Sequence, residues 1–221
     1  MRVLQAFLRA LLWTLGLVLV WQVVVRVVRK TRPFPMPAAA GAIILESPLR
    51  RRFAAAAEIV ERMGLQPGQT VLEVGAGTGY VASAAAKVVG AEGKVYALDV
   101  DPQMIERLRQ RKLTENIGNL EPKLGDATKL DFDDDAFDAV YFVTALGELP
   151  DKRAALWEAY RVLKPGGTLS VSEILLDPDY MLKGTVIRLC EETGFYLTEE
   201  HGSFLAYTVN FRKPARRSSA A

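Results

Sequence analysis

Val71-Leu72-Glu73-Val74-Gly75-Ala76-Gly77-Thr78-Gly79 is the stretch that decides the fold of this chain. Val71, Leu72 and Val74 make a short apolar strand. Three alternate glycines break it, and the run continues into an alanine-rich helix over Thr78–Val89. Glycine has no Cβ, so such a turn tolerates positive φ and lets a ligand lie against bare N–H groups at a helix N-terminus. Dinucleotide-binding turns space their glycines G-x-G-x-x-G. Here the spacing is G-x-G-x-G, with Glu73 two residues before the first glycine. A G-x-G alone also suits an ordinary tight turn. The apolar strand before it and the helix after it point to a ligand.

Outward from this run, strand and helix alternate. Thr70–Val74, Lys94–Asp99, Leu120–Leu124, Phe137–Val143 and Thr168–Ile174 read as strands. Pro102 opens a helix that Gln103–Lys112 continues, Asp151–Leu163 reads as a helix capped by Asp151, and Leu182–Thr193 as one ended by Gly194. Lys164-Pro165-Gly166-Gly167 reads as a sharp turn. Phe195–Glu200 and Phe204–Phe211 are adjacent strands joined through His201-Gly202-Ser203. Alternation predicts an α/β fold: a doubly wound, mostly parallel seven-stranded sheet, helices on both faces, and a C-terminal antiparallel hairpin.

The glycine run, Asp99, Gly125-Asp126-Ala127 and Leu163–Gly167, in this order, resemble the class I S-adenosylmethionine (SAM)-dependent methyltransferases over Leu65 to about Lys213. The resemblance implies SAM as methyl donor. Gly75, Ala76, Gly77 and Gly79 would pass under its methionine part, and Glu73 would anchor the loop and the ammonium group. Asp99, twenty residues past Gly79, would accept both ribose hydroxyls; its alternative is a helix cap, for which Asp101 is better placed. Asp126 would take the adenine amino group and the Ala127 backbone a ring nitrogen. Val100 and Met104 would pack on the adenine, and Val143 would flank the sulfonium.

A methyl acceptor that must lose a proton needs a general base. Glu148 after the fourth strand, Glu173 at the end of the fifth and the single histidine, His201, are the candidates. Each has a structural alternative: a cap or loop hydrogen bond for Glu148, a hairpin residue for His201, and a structural role for Glu173 as well. Tyr80 and Tyr207 are candidate pocket walls. No metal-ligating cluster is identified, and no metal is expected. The lone Cys190, in a helical stretch, reads as buried filler rather than nucleophile, and one cysteine among 221 residues permits no internal disulfide.

Charge is uneven. Six of the 28 basic residues and none of the 26 acids fall in the first 32, leaving 22 basic against 26 acidic residues beyond. An acidic body argues against a nucleic-acid substrate, which needs a basic face. The Asn/Asp-Pro-Pro-Tyr motif of amino-methylating nucleic-acid enzymes is also absent.

Residues 1–32 read as a hydrophobic helix with a basic flank. Ala10–Val28 is almost wholly apolar, and nineteen residues span about 28 Å, close to a hydrocarbon core. Arg26, Arg29, Lys30 and Arg32 follow, so the positive-inside tendency places the body in the cytoplasm. A cleaved signal peptide and an interfacial helix are the alternatives. Residues 33–63 read as a proline-rich linker and a lid helix over Arg50–Met63, with Phe53, Ala56, Ala57 and Val60 on its apolar face. Residues 64–213 are the SAM-binding domain and 214–221 a disordered tail. The reading is a membrane-anchored methyltransferase acting on a small, hydrophobic or lipid-like acceptor. Its alternative is a membrane-tethered SAM-binding sensor or assembly protein without catalysis. A nicotinamide dehydrogenase is disfavoured by the glycine spacing.

Overall fold

The computed structural model describes residues 55–215 and, before them, the helical residues Gln5, Arg9, Trp13, Thr14, Gly16, Val20 and Val24. Met1–Pro35 and Met36–Ala221 form separate units. Most of the predicted anchor, the linker, the lid helix before Ala55 and the tail from 216 lie outside the described residues. Among the described residues, no helix is long and apolar enough to cross a membrane.

The body begins with helix α1 (Ala56–Met63), followed by β1 (Thr70–Val74), α2 (Tyr80–Val89), β2 (Lys94–Asp99), α3 (Pro102–Thr114), β3 (Leu120–Leu124) and β4 (Phe137–Val143). A single 3₁₀ turn (Leu146–Glu148), α4 (Lys152–Val162), β5 (Leu163–Ile174), α5 (Lys183–Glu192), β6 (Tyr196–Gly202) and β7 (Ala206–Arg212) complete it. The seven strands form one sheet in the order β3-β2-β1-β4-β5-β7-β6. The first five run parallel, and β7 pairs antiparallel with both β5 and β6. This is the predicted fold class.

Two apolar layers cover the two faces. Val71, Ala97, Tyr141 and Val143 pack under α1 and α2, where Ala82, Ala85 and Ala86 let the helix approach the sheet closely. Leu72, Val140, Phe142, Tyr207 and Phe211 pack under α4 and α5, against Leu156, Val186 and Cys190. Each fully buried leucine or phenylalanine stabilises by about 1.5–3 kcal/mol relative to exposure. The edges are blunted by sequence. β3 carries Pro122 and Lys123, while β6 exposes Glu199 and Glu200.

Caps follow the sequence. Asp101 accepts from the Gln103 N–H at 2.8 Å, and Asp151 from the Ala154 N–H at 2.9 Å. Two readings are corrected. Lys164–Gly167 is not a turn but part of the twelve-residue β5. The chain end ties it into the sheet as an irregular stretch with Gly166 at φ 78°, since Gly166 N–H donates to Lys213 O at 2.9 Å and Lys213 N–H to Gly167 O at 3.1 Å. In α1 the buried face is Ala56, Ile59, Val60 and Met63, and Ala57 is exposed.

Candidate active site

Strand order reverses at β1, which lies between β2 and β4. In an open α/β sheet the crevice beyond the carboxyl ends at such a point is where ligands bind. The glycine loop occupies it. Gly75, Gly77 and Gly79 have φ of 75°, 54° and 79°, conformations that a side chain rarely adopts. The N–H groups of Gly75 and Ala76 both donate to Leu98 O at 2.9 Å, which pins the loop to the end of β2. A Cβ on Gly75 would stand 2.5 Å from Ala145 Cβ, so the loop lies hard against the chain leaving β4. Gly79 starts α2 without a side-chain cap. The first N–H groups of that helix are therefore open to an anionic or polar ligand.

Asp99 ends β2 and braces this loop. One oxygen accepts from Gly77 N–H at 2.8 Å and the other from Asp101 N–H at 2.9 Å. Burial raises its pKa against the pull of those two amides. A carboxylate offers about four lone-pair sites, so acceptor capacity remains for a hydroxyl donor. Arg111 of α3 donates to Thr78 O at 3.0 Å and steadies the loop from outside. Val100 is 65% exposed at the strand end, where an apolar surface has nothing from the body to cover it. Asp126 accepts from both the N–H and the hydroxyl of Thr128 at 2.8 Å, bonds that lower its pKa. Ala127 beside it is buried. The positions predicted for the cofactor thus converge on one edge. The residues fit SAM: a cradle that a Cβ would fill, an uncapped helix start, and acidic groups at the ends of β2 and β3.

Glu73 is almost fully buried in β1 and pairs across the sheet with Tyr141, whose hydroxyl donates to it at 3.3 Å. Burial and the Glu73 charge together push the Tyr141 pKa well up. Val143 points into the core under α1 and α2; the Ala145 side chain abuts the loop instead. Thr144 itself has φ 51°, and its N–H donates to Ser172 O at 2.8 Å. Such a strained, buried, non-glycine residue at a strand end is a mark of a functional edge, and the sequence carried no sign of it.

The acid candidates separate. Glu148 ends the 3₁₀ turn after β4; Asp151, not Glu148, caps α4. Glu148, Asp177 and Asp179 bring carboxylate oxygens within 4.8 Å of one another, a cluster absent from the sequence reading. The approach depends on Gly147, where a Cβ would stand 2.0 Å from Asp179 O. Glu173 is 1% exposed, and neither carboxylate oxygen has a hydrogen-bond partner of good geometry. Burial pushes its pKa well above the carboxylate range; Asp177, Asp179 and Glu148 push the same way, against a pull from the Met181 amide. Lys152 stands near Asp179 and Glu173; burial lowers its pKa although their charges raise it.

His201 does not join them. It pairs with Thr208, whereas Glu173 pairs with Tyr207, so the two side chains emerge on opposite faces of the sheet. His201 instead meets Glu199 at 3.3 Å on the edge strand. Of the two tyrosines, Tyr80 ties α1 to α2 by accepting from Ala56 N–H at 3.2 Å. Tyr207 is buried beside Glu173 and donates to Met181 O at 2.7 Å. Cys190 is fully buried and its thiol pKa is raised by that burial, as the filler reading expects.

Two clefts of about 510 and 540 Å³ lie at the opposite, amino ends of the strands and hold none of these residues. The first is walled by Arg161, which donates to Leu130 O, Phe132 O, Glu158 and Asp134 and serves the fold.

Residues 71–167 match a methyltransferase domain family model. Among curated proteins, the chain is 40% identical over 115 residues to the ubiquinone/menaquinone biosynthesis C-methyltransferase UbiE of Hydrogenovibrio crunogenus, covering 52% of this chain and 45% of that one. It is 28% identical over 190 residues to an arsenite methyltransferase of Halobacterium salinarum, covering 69% and 48%. The chain spans about half the length of these relatives. A crystal structure of a SAM-dependent methyltransferase from Aquifex aeolicus shares the fold, with a TM-score of 0.75 at 22% identity over 81% of this chain and all of that one. Residues 71–167 thus match a methyltransferase domain, and the body has the fold of a SAM-dependent methyltransferase.

Proposed function

We propose that this chain is a membrane-anchored enzyme that transfers the methyl group of SAM to a small, hydrophobic or lipid-like acceptor. The observation that carries the reading is the glycine loop at the uncapped start of α2, with Asp99 holding it and the acid-lined ends of β4 and β5 beside it. Bound SAM supplies a methyl group already activated on a sulfonium. The chain's own task is alignment and the handling of one proton. The loop backbone from Gly75 to Gly79 seats the methionine part near Glu73. Asp99 accepts from the ribose hydroxyls and Asp126 from the adenine amino group, the Ala127 N–H donates to a ring nitrogen, and Val100 covers the base. Thr144 and Ala145 close the methyl end. Glu148 takes a proton from an acceptor that must lose one.

The anchor rests on Ala10–Val28 and its basic flank. In its support, Trp13, Val20 and Val24 are helical and 75%, 61% and 48% exposed, an apolar surface suited to lipid. The body then faces the cytoplasm, and tethering raises the effective concentration of acceptors dissolved in the bilayer.

Incubation of the full chain with methyl-labelled SAM and a membrane lipid extract tests the reading. Label is expected in the organic phase. Tight SAM binding with no turnover on lipid, quinone or protein fractions would instead support a non-catalytic SAM sensor. For the anchor, the full chain should sediment with membranes and a chain starting at Pro33 should not. Equal behaviour of the two would remove it.

A further inference from the structure

Alignment of a methyl donor needs no concentration of negative charge, yet the acceptor end of this sheet has one. Glu148 comes from the turn after β4, and Asp177 and Asp179 from the loop after β5, with oxygens within 4.8 Å of one another. Behind them lies Glu173, 1% exposed, neither oxygen with a hydrogen-bond partner of good geometry, and close enough to feel the charge of all three. Lys152 stands near Asp179 and Glu173, yet a carboxylate buried among three acids remains costly to ionise, and a further cation at the cluster would lower that cost.

The cluster sits next to the cofactor loop. Gly75 abuts Ala145, and two residues on Gly147 abuts Asp179, so loop, post-β4 turn and post-β5 loop are successive neighbours along one edge. An apolar rim adjoins it. Leu176, Leu182, Phe204 and Leu205 are 48%, 58%, 62% and 55% exposed. Loop and hairpin tip are joined there: Leu175 N–H donates to Leu205 O at 2.8 Å, Tyr180 hydroxyl donates to Phe204 O at 2.8 Å, and the two rings meet edge to face at 5.8 Å.

We propose that the methyl acceptor is an amphiphilic amine: its ammonium is held by Glu148, Asp177 and Asp179 over Glu173, and its apolar body lies on Leu176, Leu182, Phe204 and Leu205. This deepens, and rests on, the methyltransferase reading. A bare divalent ion would answer the acids but leave the apolar rim without a purpose; an amphiphilic amine uses both. The chemistry balances. The ammonium gives one proton to the Glu148 carboxylate, which passes it to solvent. The freed nitrogen lone pair forms the N–C bond as the C–S bond breaks, its electron pair goes to sulfur, and the products are a methylated ammonium and a neutral thioether.

The test uses the full chain with n-decylamine, n-decanol and decanoate as matched probes. Calorimetry without SAM should show saturable binding of decylamine, at least tenfold tighter than of decanol or decanoate. With labelled SAM, the methyl group should appear on decylamine. Asp177→Asn combined with Asp179→Asn should weaken decylamine binding by tenfold or more while SAM affinity stays within twofold. Glu148→Gln, which leaves the loop untouched, should weaken decylamine binding less than the double variant does and lose turnover. Equal binding of decanol would overturn the proposal. So would saturable Ca²⁺ or Mg²⁺ binding that the double variant abolishes, since the acids would then be a metal site. Failure to bind SAM would strike the methyltransferase reading alone, because the amine titration is made without it.

Discussion

Glu73 and Glu173 are both nearly sealed in one sheet, yet they live in opposite circumstances. Glu73, on the face under α1 and α2, receives the Tyr141 hydroxyl. Glu173, on the face under α4 and α5, has no such donor and three acids nearby. The first belongs to the cofactor half, which is finished by its own hydrogen bonds. The second belongs to the acceptor half, where acids from two loops crowd a sealed carboxyl group. The difference teaches where this fold is generic and where it is particular. The loop is pinned by its own hydrogen bonds and keeps donors and acceptors for a ligand, whereas the end of β5 is built at a cost in stability.

The comparison breaks most forcefully at its two close-contact glycines. Gly75→Ala combines a positive φ, costing about 1–2 kcal/mol, with a methyl driven into Ala145, costing about 1–3 kcal/mol. Both the melting temperature and SAM binding should fall. Gly147→Ala drives its methyl into Asp179 O. It should lower the melting temperature and acceptor turnover while SAM affinity stays within about threefold, about 0.6 kcal/mol. Loss of SAM binding in Gly147→Ala would mean that the halves are not separable.

Asp99→Asn is the next largest effect. Its amide cannot accept at both positions, so one backbone N–H, of Gly77 or Asp101, loses its acceptor. A charge-assisted hydrogen bond is worth about 1.5–3 kcal/mol, which corresponds to roughly 10–150-fold in SAM affinity by calorimetry.

Glu173→Gln sharpens the contrast through pH. The folded pKa of Glu173 lies above its unfolded value, so its contribution is fully present below the unfolded pKa and is lost as pH rises through the folded one. Melting temperatures of the parent should therefore decline relative to Glu173→Gln from about pH 5 upward. Parallel curves would show that Glu173 is not a strained acid. The smallest effect belongs to Tyr141→Phe, which removes one long hydrogen bond to Glu73 and should cost about 0.5–1.5 kcal/mol in denaturant unfolding.

Much of the scaffold was legible in the residues. Thr70–Val74, Lys94–Asp99, Leu120–Leu124 and Phe137–Val143 were readable to the residue, the central three because buried parallel strands are largely apolar runs, and Leu120–Leu124 by its place before Gly125-Asp126. Asp99 and Asp126 were legible because a strand end is a fixed place in this topology. The acid cluster was not. Asp177-Pro178-Asp179 lies in a loop with no periodicity, and it reaches Glu148 only through the close approach at Gly147. The one available sign was two carboxylates flanking a proline just past Glu173. The Leu163–Gly167 extension was hidden for a similar reason, since its hydrogen bonds come from Lys213, far along the chain. His201 misled because rarity in a sequence says nothing about which face of a strand a side chain takes.

Cys190 offers a practical handle. It is the single sulfhydryl of the chain, fully enclosed and held in its unreactive thiol form. The parent protein is therefore blind to maleimide reagents while folded. A cysteine introduced at Leu113, which is 79% exposed on α3, would be the sole point of attachment for a fluorophore or spin label. Distance measurements between that label and lipid-borne quenchers could then proceed with no background from the native thiol, and the appearance of a second labelled site would itself report unfolding around α5.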